Sequence, residues 1–214
     1  RRVLLLRRGV VVGARSNIES EDLTTLALRR NVMSVEEFTA VRDDVVSRAK
    51  ANVVDAILAR GLMPEETLRA LALEHAKRIA LGAFRWHEGT MKVTLQGSAT
   101  REAVPVRLAV GEIVVRGILL TEGDDALKAA APDDARFSPA ADSGYGLEDL
   151  TLSADEARAV ISMDGTKTIK DLVTLFSPGI SERTIRGLAA GLLCLNLVRF
   201  AGWGPAEARR ISFF

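Results

Sequence analysis

His75, His87 and Cys194 are the side chains whose types could bind a metal or attack a substrate near neutral pH. A zinc site needs several such ligands at short spacing, and a nucleophile needs a base beside it. Neither histidine has a cysteine or an acidic partner at metal-ligand spacing. His75 falls on the apolar stripe of a helical pattern, which predicts a partly buried structural ring. His87 falls at the edge of a predicted hairpin, which predicts a solvated one. Cys194 stands in an apolar helical run without a histidine or lysine to form a thiolate, so packing is its expected role. The glycines are scattered, and no glycine-rich loop joins a strand to a helix, so there is no phosphate cradle of Rossmann or P-loop type. The expectation is a non-enzyme with no catalytic, cofactor-binding or metal-ligating residues and no cofactor.

Composition bounds the rest. The chain has 214 residues, 48% of them apolar, enough for one large or two small cores. A net charge of +1 gives no push toward nucleic acid or an anionic membrane. One cysteine excludes an internal disulfide framework and fits a reducing, cytoplasmic compartment. No apolar run reaches the roughly 18 residues of a membrane span. A start at Arg1, directly in strand-like sequence, reads as a piece of a longer protein.

The elements follow from punctuation and periodicity. Val3–Leu6 and Val10–Val12 flank Arg7-Arg8-Gly9, a hairpin whose two apolar strands are expected to be covered on both faces. Ser20 is expected to cap a short helix over 21–30, and a long helix follows from Val35 to Arg60, with a possible bend at Ala51-Asn52. Gly61, then Pro64 with Glu65 and Glu66, mark a helix stop and a new start. Leu68, Leu71, Ala72, His75 and Ile79 form that helix's stripe. After Gly82 the period changes to two. Phe84 and Trp86, then Met91, Val93 and Leu95, predict a second hairpin, with Trp86 as core and the first hairpin as its sheet partner. The frame Asn31–Val41 lies over Gly61–Leu71: a terminator that tolerates φ > 0, an apolar pair, then a helix start. Ser34 and Glu37 have capping-box spacing.

The β-branched content of 105–120 reads as strand and its apolar spacing as helix; the helix, over 109–120, is the favoured reading, and a second short helix is predicted over 123–130. The stretch 132–149 is rich in proline, glycine, serine and aspartate and is the expected linker, dividing a domain over 1–131 from one over 150–214. Ser153, Thr168 and Ser181 each open a helix, and Leu197–Phe200 reads as a strand, the outline of a winged helix. Its third helix offers Arg183 and Arg186 but is otherwise small or apolar outside, too poor in polar side chains for major-groove readout. Gly187 and Gly191 make a flat patch, expected to pack against another protein's surface. Arg209 and Arg210 are too few to restore a nucleic-acid footprint.

The segment VLLLRRGVVVGARSN and the later FRWHEGTMKV resemble, in that order around a helical insertion, the PATAN-type domains of bacterial signalling proteins, a family of unknown function. The residues 152–198 are similar to the small winged-helix-like module that often follows. Together these segments cover most of the chain. The resemblance implies an α+β fold with a small antiparallel sheet and inserted helices, plus a C-terminal helical module. It also implies signalling through protein contacts, with a response regulator, a small GTPase or a secretion or pilus ATPase. The repeated VMSVEEF and LMPEETL frames resemble helical repeats in N-terminal domains of type II secretion and type IV pilus ATPases. Some of those bind cyclic di-GMP through an Arg-Leu-Gly motif that this chain lacks, so only the fold likeness carries over. The alternatives left open are a cyclic-dinucleotide-responsive domain and a winged-helix DNA-binding regulator.

Overall fold

A computed structural model describes residues 1–47, 53–86, 88–95, 104, 106–141 and 143–201. The fold is α+β, with two small antiparallel sheets and helices in both parts of the chain. Two compact units divide between Leu108 and Ala109.

In the first unit, β1 (Arg2–Arg7) and β2 (Val10–Ser16) form the expected hairpin. Arg8 and Gly9 both take positive φ, 50° and 74°, a two-residue turn whose twist matches its strands. Arginine tolerates that conformation less well than asparagine. Arg8→Asn is therefore expected to stabilise the unit by about 0.5–1 kcal/mol, read as a raised urea midpoint with an unchanged slope. The register skips Val12 between Leu5↔Gly13 and Leu6↔Val11, so the extra residue belongs to β2.

The sheet order places β2 between β1 and β3 (Leu108–Ala109). This corrects the expectation that both hairpin strands are enclosed. Val11 of β2 is 1% exposed, whereas Val3, Leu4 and Leu5 are half-buried and Leu6 is 61% exposed. An apolar run does not distinguish a central strand from an edge, because third-strand pairing is non-local.

The helices lie between β2 and β3 in the chain, as expected for an insertion. Residues 19–21 wind into a 3-10 turn, so α1 (Leu23–Arg29) starts later than expected, and Asp22 rather than Ser20 caps it. The Asp22 carboxylate accepts from the Thr24 N–H at 2.8 Å. The repeated helix-stop device is present twice. Asn31 and Gly61 take φ of 54° and 61°. The Val32 N–H donates to Ala27 C=O at 3.1 Å and the Leu62 N–H to Ile57 C=O at 3.3 Å, the same six-to-one closure after α1 and α3. Ser34 and Glu37 exchange both capping-box bonds at the start of α2 (Val35–Ser47). The long helix expected over 35–60 is not one helix. α3 (Val53–Arg60) packs back on α2, and Arg60 Nε meets the Asp44 carboxylate at 2.6 Å. One continuous helix would hold that pair about 24 Å apart. The Ala51-Asn52 bend lies outside the described residues. In α4 (Glu65–Ala83) the predicted stripe is buried at Leu68, Leu71, Ala72 and Ile79, with His75 half-buried.

The second predicted hairpin is not formed. Phe84 caps α4 in helical conformation, and turn bonds from Arg85 and Trp86 to Gly82 and Ala83 extend the helix end. Residues 88–95 form no strand, and Met91, Val93 and Leu95 are 87%, 73% and 95% exposed. Arg2 supplies the physical reason. It donates to Gly82 C=O at 2.9 Å and lies 4.6 Å over the Trp86 ring, holding that ring at the helix terminus instead of in a strand. Trp86 is accordingly 44% exposed, not core.

The second unit holds α5 (Val110–Thr121), α6 (Asp124–Ala130), β4 (Phe137–Pro139), α7 (Ala154–Ile161), α8 (Ile169–Phe176), α9 (Glu182–Cys194) and β5 (Val198–Phe200). Ser153, Thr168 and Ser181 are the caps predicted for the last three helices. The division between units does not fall in 132–149. α5 and α6 pack on α9, which is buried from Ile185 to Leu192, so residues 109–131 share a core with the C-terminal helices. The expected linker supplies β4, which pairs with β5 at Phe137↔Phe200 and Pro139↔Val198. Phe137 is fully buried, with its ring centroid 4.7 Å from that of Phe200. Proline and serine richness read as a boundary because β4 is only three residues long and its partner is sixty residues away in the chain.

Candidate functional site

Of the sequence candidates for chemistry, His75 is engaged in the fold. His75 Nε2–H donates to the Glu21 carbonyl oxygen at 2.6 Å, since that oxygen can only accept. Burial lowers the pKa of the ring, and the Glu21 carbonyl opposes the shift. The Glu21 carboxylate accepts from Arg2 Nε at 3.0 Å, and that contact lowers the carboxyl's pKa. Arg2 thus ties β1 to the end of α4 through Gly82 and Trp86, and His75 ties the middle of α4 to the 3-10 turn at Glu21. His87 lies outside the described residues. Among the described residues no group of three or more His, Cys, Asp or Glu could hold a metal ion.

Cys194 sits at the last position of α9 and is exposed by area. Desolvation, with the Glu122 charge adding to it, pushes the thiol up to about 11. The thiolate fraction at neutral pH is then far below that of a free cysteine. Alkylation by iodoacetamide at pH 8 is expected to run at least about tenfold slower in the native chain than in urea. Equal rates in the two conditions would sink this reading of Cys194.

The third helix of the C-terminal part resolves the question of its arginines. Arg183 donates to Leu119 C=O at 3.0 Å and Glu122 C=O at 2.6 Å, capping the end of α5, and ion-pairs with Asp124. Arg186 is 4% exposed and bonds to Ala131 C=O, Asp133 and Glu182. Both are thereby committed within the unit. The flat patch is committed too, which corrects the expectation that it packs on another protein. A Cβ on Gly187 would lie 2.2 Å from Leu119 Cδ2, and one on Gly191 would lie 2.9 Å from Val115 Cγ2, so α5 already fills that face. Helical spacing exposed a small-residue face but not the identity of the surface against it. Arg209 and Arg210 lie outside the described residues.

Sequence reasoning missed one ionic cluster. Glu112 of α5 and Glu156 of α7 are 6% and 7% exposed. Arg116 lies between them, donating to Glu156 at 2.6 and 3.0 Å and to Thr151 C=O at 2.6 Å, with Glu112 at 3.4 Å. Glu112 also accepts the Thr151 N–H at 2.9 Å, and Glu156 accepts the Ser153 N–H at 2.8 Å. The Arg116 guanidinium brings the Glu156 carboxyl down to about 2. The signal available in sequence was Glu112 and Arg116 at i,i+4 in an otherwise apolar helix. Every charge here has a partner, so the cluster is a brace.

Among the described residues two surfaces are of note. An open groove of about 300 Å³ lies between α7 and α8, lined by Asp155, Arg158, Leu175, Phe176 and Gly179, with Arg158 and Asp155 ion-paired along its α7 wall. The second is the outer edge of β1, with exposed Leu6, Arg7 and Arg8 at its hairpin end. No helix among the described residues is long and apolar enough to cross a membrane. Comparisons with protein-family models, with curated proteins and with solved structures found no match.

Proposed function

We propose that the chain is a non-enzymatic protein–protein interaction module of the bacterial cytoplasm, acting in signalling or in the regulation of motility or secretion machinery. The PATAN-type resemblance of the first part, and the winged-helix-like resemblance of the last, point to a response regulator, a small GTPase or a secretion or pilus ATPase as partner. The observation that carries the reading is the outer edge of β1, with which no strand among the described residues pairs. It leaves apolar side chains and a row of backbone groups at the surface, while His75, the buried carboxylates and the arginines of α9 are engaged internally. Recognition by α9 of DNA is disfavoured because Arg183 and Arg186 are both spent on the fold. The test is affinity capture from a bacterial extract with the tagged full chain, followed by reconstitution of the recovered protein with purified components. A specific partner that rebinds is the expected result. Recovery of nothing above a bead control, or a shift of labelled DNA at low salt in place of protein binding, would overturn the proposal.

A further inference from the structure

We infer that the outer edge of β1 is a strand-addition site for an extended apolar segment carrying acidic residues at its ends. The inference rests on the interaction reading above and names the chemistry of the partner. β1 pairs with β2 on one side, and among the described residues no strand lies on the other. The extra residue of the bulge is in β2, so β1 runs unbroken from Arg2 to Arg7. Its outward N–H and C=O groups form a regular row. Edge strands are ordinarily guarded by proline, by a bulge of their own or by charged side chains on the edge or pointing inward. The exposed charges at the ends of β1, Arg1, Arg7 and Arg8, are all cationic, which guards against a like-charged strand and not against an acidic one. β1 has no proline and no extra residue, and Arg2 is tied down by Glu21. An added strand would gain ladder hydrogen bonds and cover Leu6 together with the half-buried Val3–Leu5 row.

Charge selects the occupant. Arg7 and Arg8 are exposed at one end of the strand and form no ion pair among the described residues, and Arg1 is exposed at the other. Carboxylates flanking an apolar core would meet both ends. The same arginines work against a second copy. Antiparallel self-pairing that keeps Val3–Leu6 in the ladder brings Arg7 and Arg8 of one chain against Arg1 and Arg2 of the other, and like charges directly opposite oppose pairing. The chain's own Met91–Leu95 has the alternating apolar pattern but carries Lys92 and no acid, so it matches the edge less well.

The probe is a synthetic peptide of alternating valine and threonine with aspartate and glutamate at both ends, compared with the same core ended in lysines. Each is titrated into the full chain by fluorescence polarisation at low salt, and amide hydrogen exchange is followed in parallel. The acidic peptide is expected to bind roughly tenfold or more tightly than the basic one. It should protect amides within Leu4–Leu6, and the preference should invert in the Arg7→Glu, Arg8→Glu double variant. Both arginines are exposed, so an unchanged urea midpoint checks that the variant is folded. Equal affinities, no new protection in β1, an unaltered preference in the folded variant, or β1 protected without peptide in a concentration-dependent dimer would each overturn the inference. If the peptides fail while a captured protein still rebinds the chain, the site assignment falls and the interaction reading stands.

Discussion

Replacing Arg116 with methionine is expected to destabilise the second unit by about 3–5 kcal/mol, because it leaves two buried carboxylates without their shared cation. The loss should appear as a lower urea midpoint with little change in slope. The triple variant Glu112→Gln, Arg116→Met, Glu156→Gln is expected to recover much of it, since a neutral amide needs no counter-charge and glutamine at position 156 can still close the Ser153 capping box. A triple variant no more stable than the single one would show that the cluster does more than neutralise itself.

The same cluster sets a pH dependence. The Glu156 carboxyl lies at about 2 in the fold against 4.5 as a free side chain. Between those values the unfolded chain binds the proton and the folded chain does not, so stability falls as the pH drops through that window and is fully present above it. The contribution is up to about 3 kcal/mol, to be read from urea midpoints between pH 6 and pH 2.5. In Arg116→Met the slope contributed by Glu156 should vanish or change sign, because burial without a cation favours the protonated acid. A wild-type slope retained in that variant would refute the assignment of the effect to this pair.

The second large effect concerns the contact of α9 with α5. Gly191→Ala is expected to cost about 1–2 kcal/mol net, even though alanine is worth about 1 kcal/mol over glycine in a helix interior. The added Cβ would stand 2.9 Å from Val115 Cγ2 and 3.1 Å from Val115 Cα, and a backbone atom can yield only if α5 moves. Gly187→Ala is expected to be milder. There the close neighbour is the end of the Leu119 side chain, with Leu119 Cα at 3.9 Å, and a rotamer change can relieve it. Gly191→Val should exceed both, at roughly 3 kcal/mol or more, as overpacking against the buried Val115 is added to a β-branched helix residue. Urea unfolding of the three variants decides the matter. An order in which Gly187→Ala is the worse alanine variant, or in which both stabilise as propensity alone requires, would show that α5 and α9 are not in this contact.

Local chemistry was largely legible where it acts within a turn or two, the start of α1 excepted, where Asp22 and not Ser20 is the cap. The capping boxes at Ser34, Ser153 and Thr168, the cap at Ser181 and the paired terminators Asn31 and Gly61 all stand where residue type and spacing put them. The stripe of α4, and the expectation that His75 is a structural ring, follow from the same period. The larger failures are those in which one segment meets another beyond its own element, as where α3 folds back on α2. Met91, Val93 and Leu95 alternate like a strand yet lie in water, because Arg2, eighty residues before Gly82, draws Trp86 to the end of α4. The proline- and serine-rich stretch around Phe137 looked like a linker but supplies the partner of β5.

By itself, then, the sequence determined an α+β chain with well-marked helix ends and a lone cysteine that no base activates. Capping bonds, positive-φ turns and helical stripes involve residues a few positions apart, so their energetics are written locally. Only the tertiary structure decided that β1 is an edge and that α5 belongs with α9. It also committed the arginines and glycines of α9 internally and braced the second unit with Glu112, Arg116 and Glu156. Each of those outcomes depends on which surfaces meet after long loops close. Residue type constrains what a face can accept, and only packing selects what it receives.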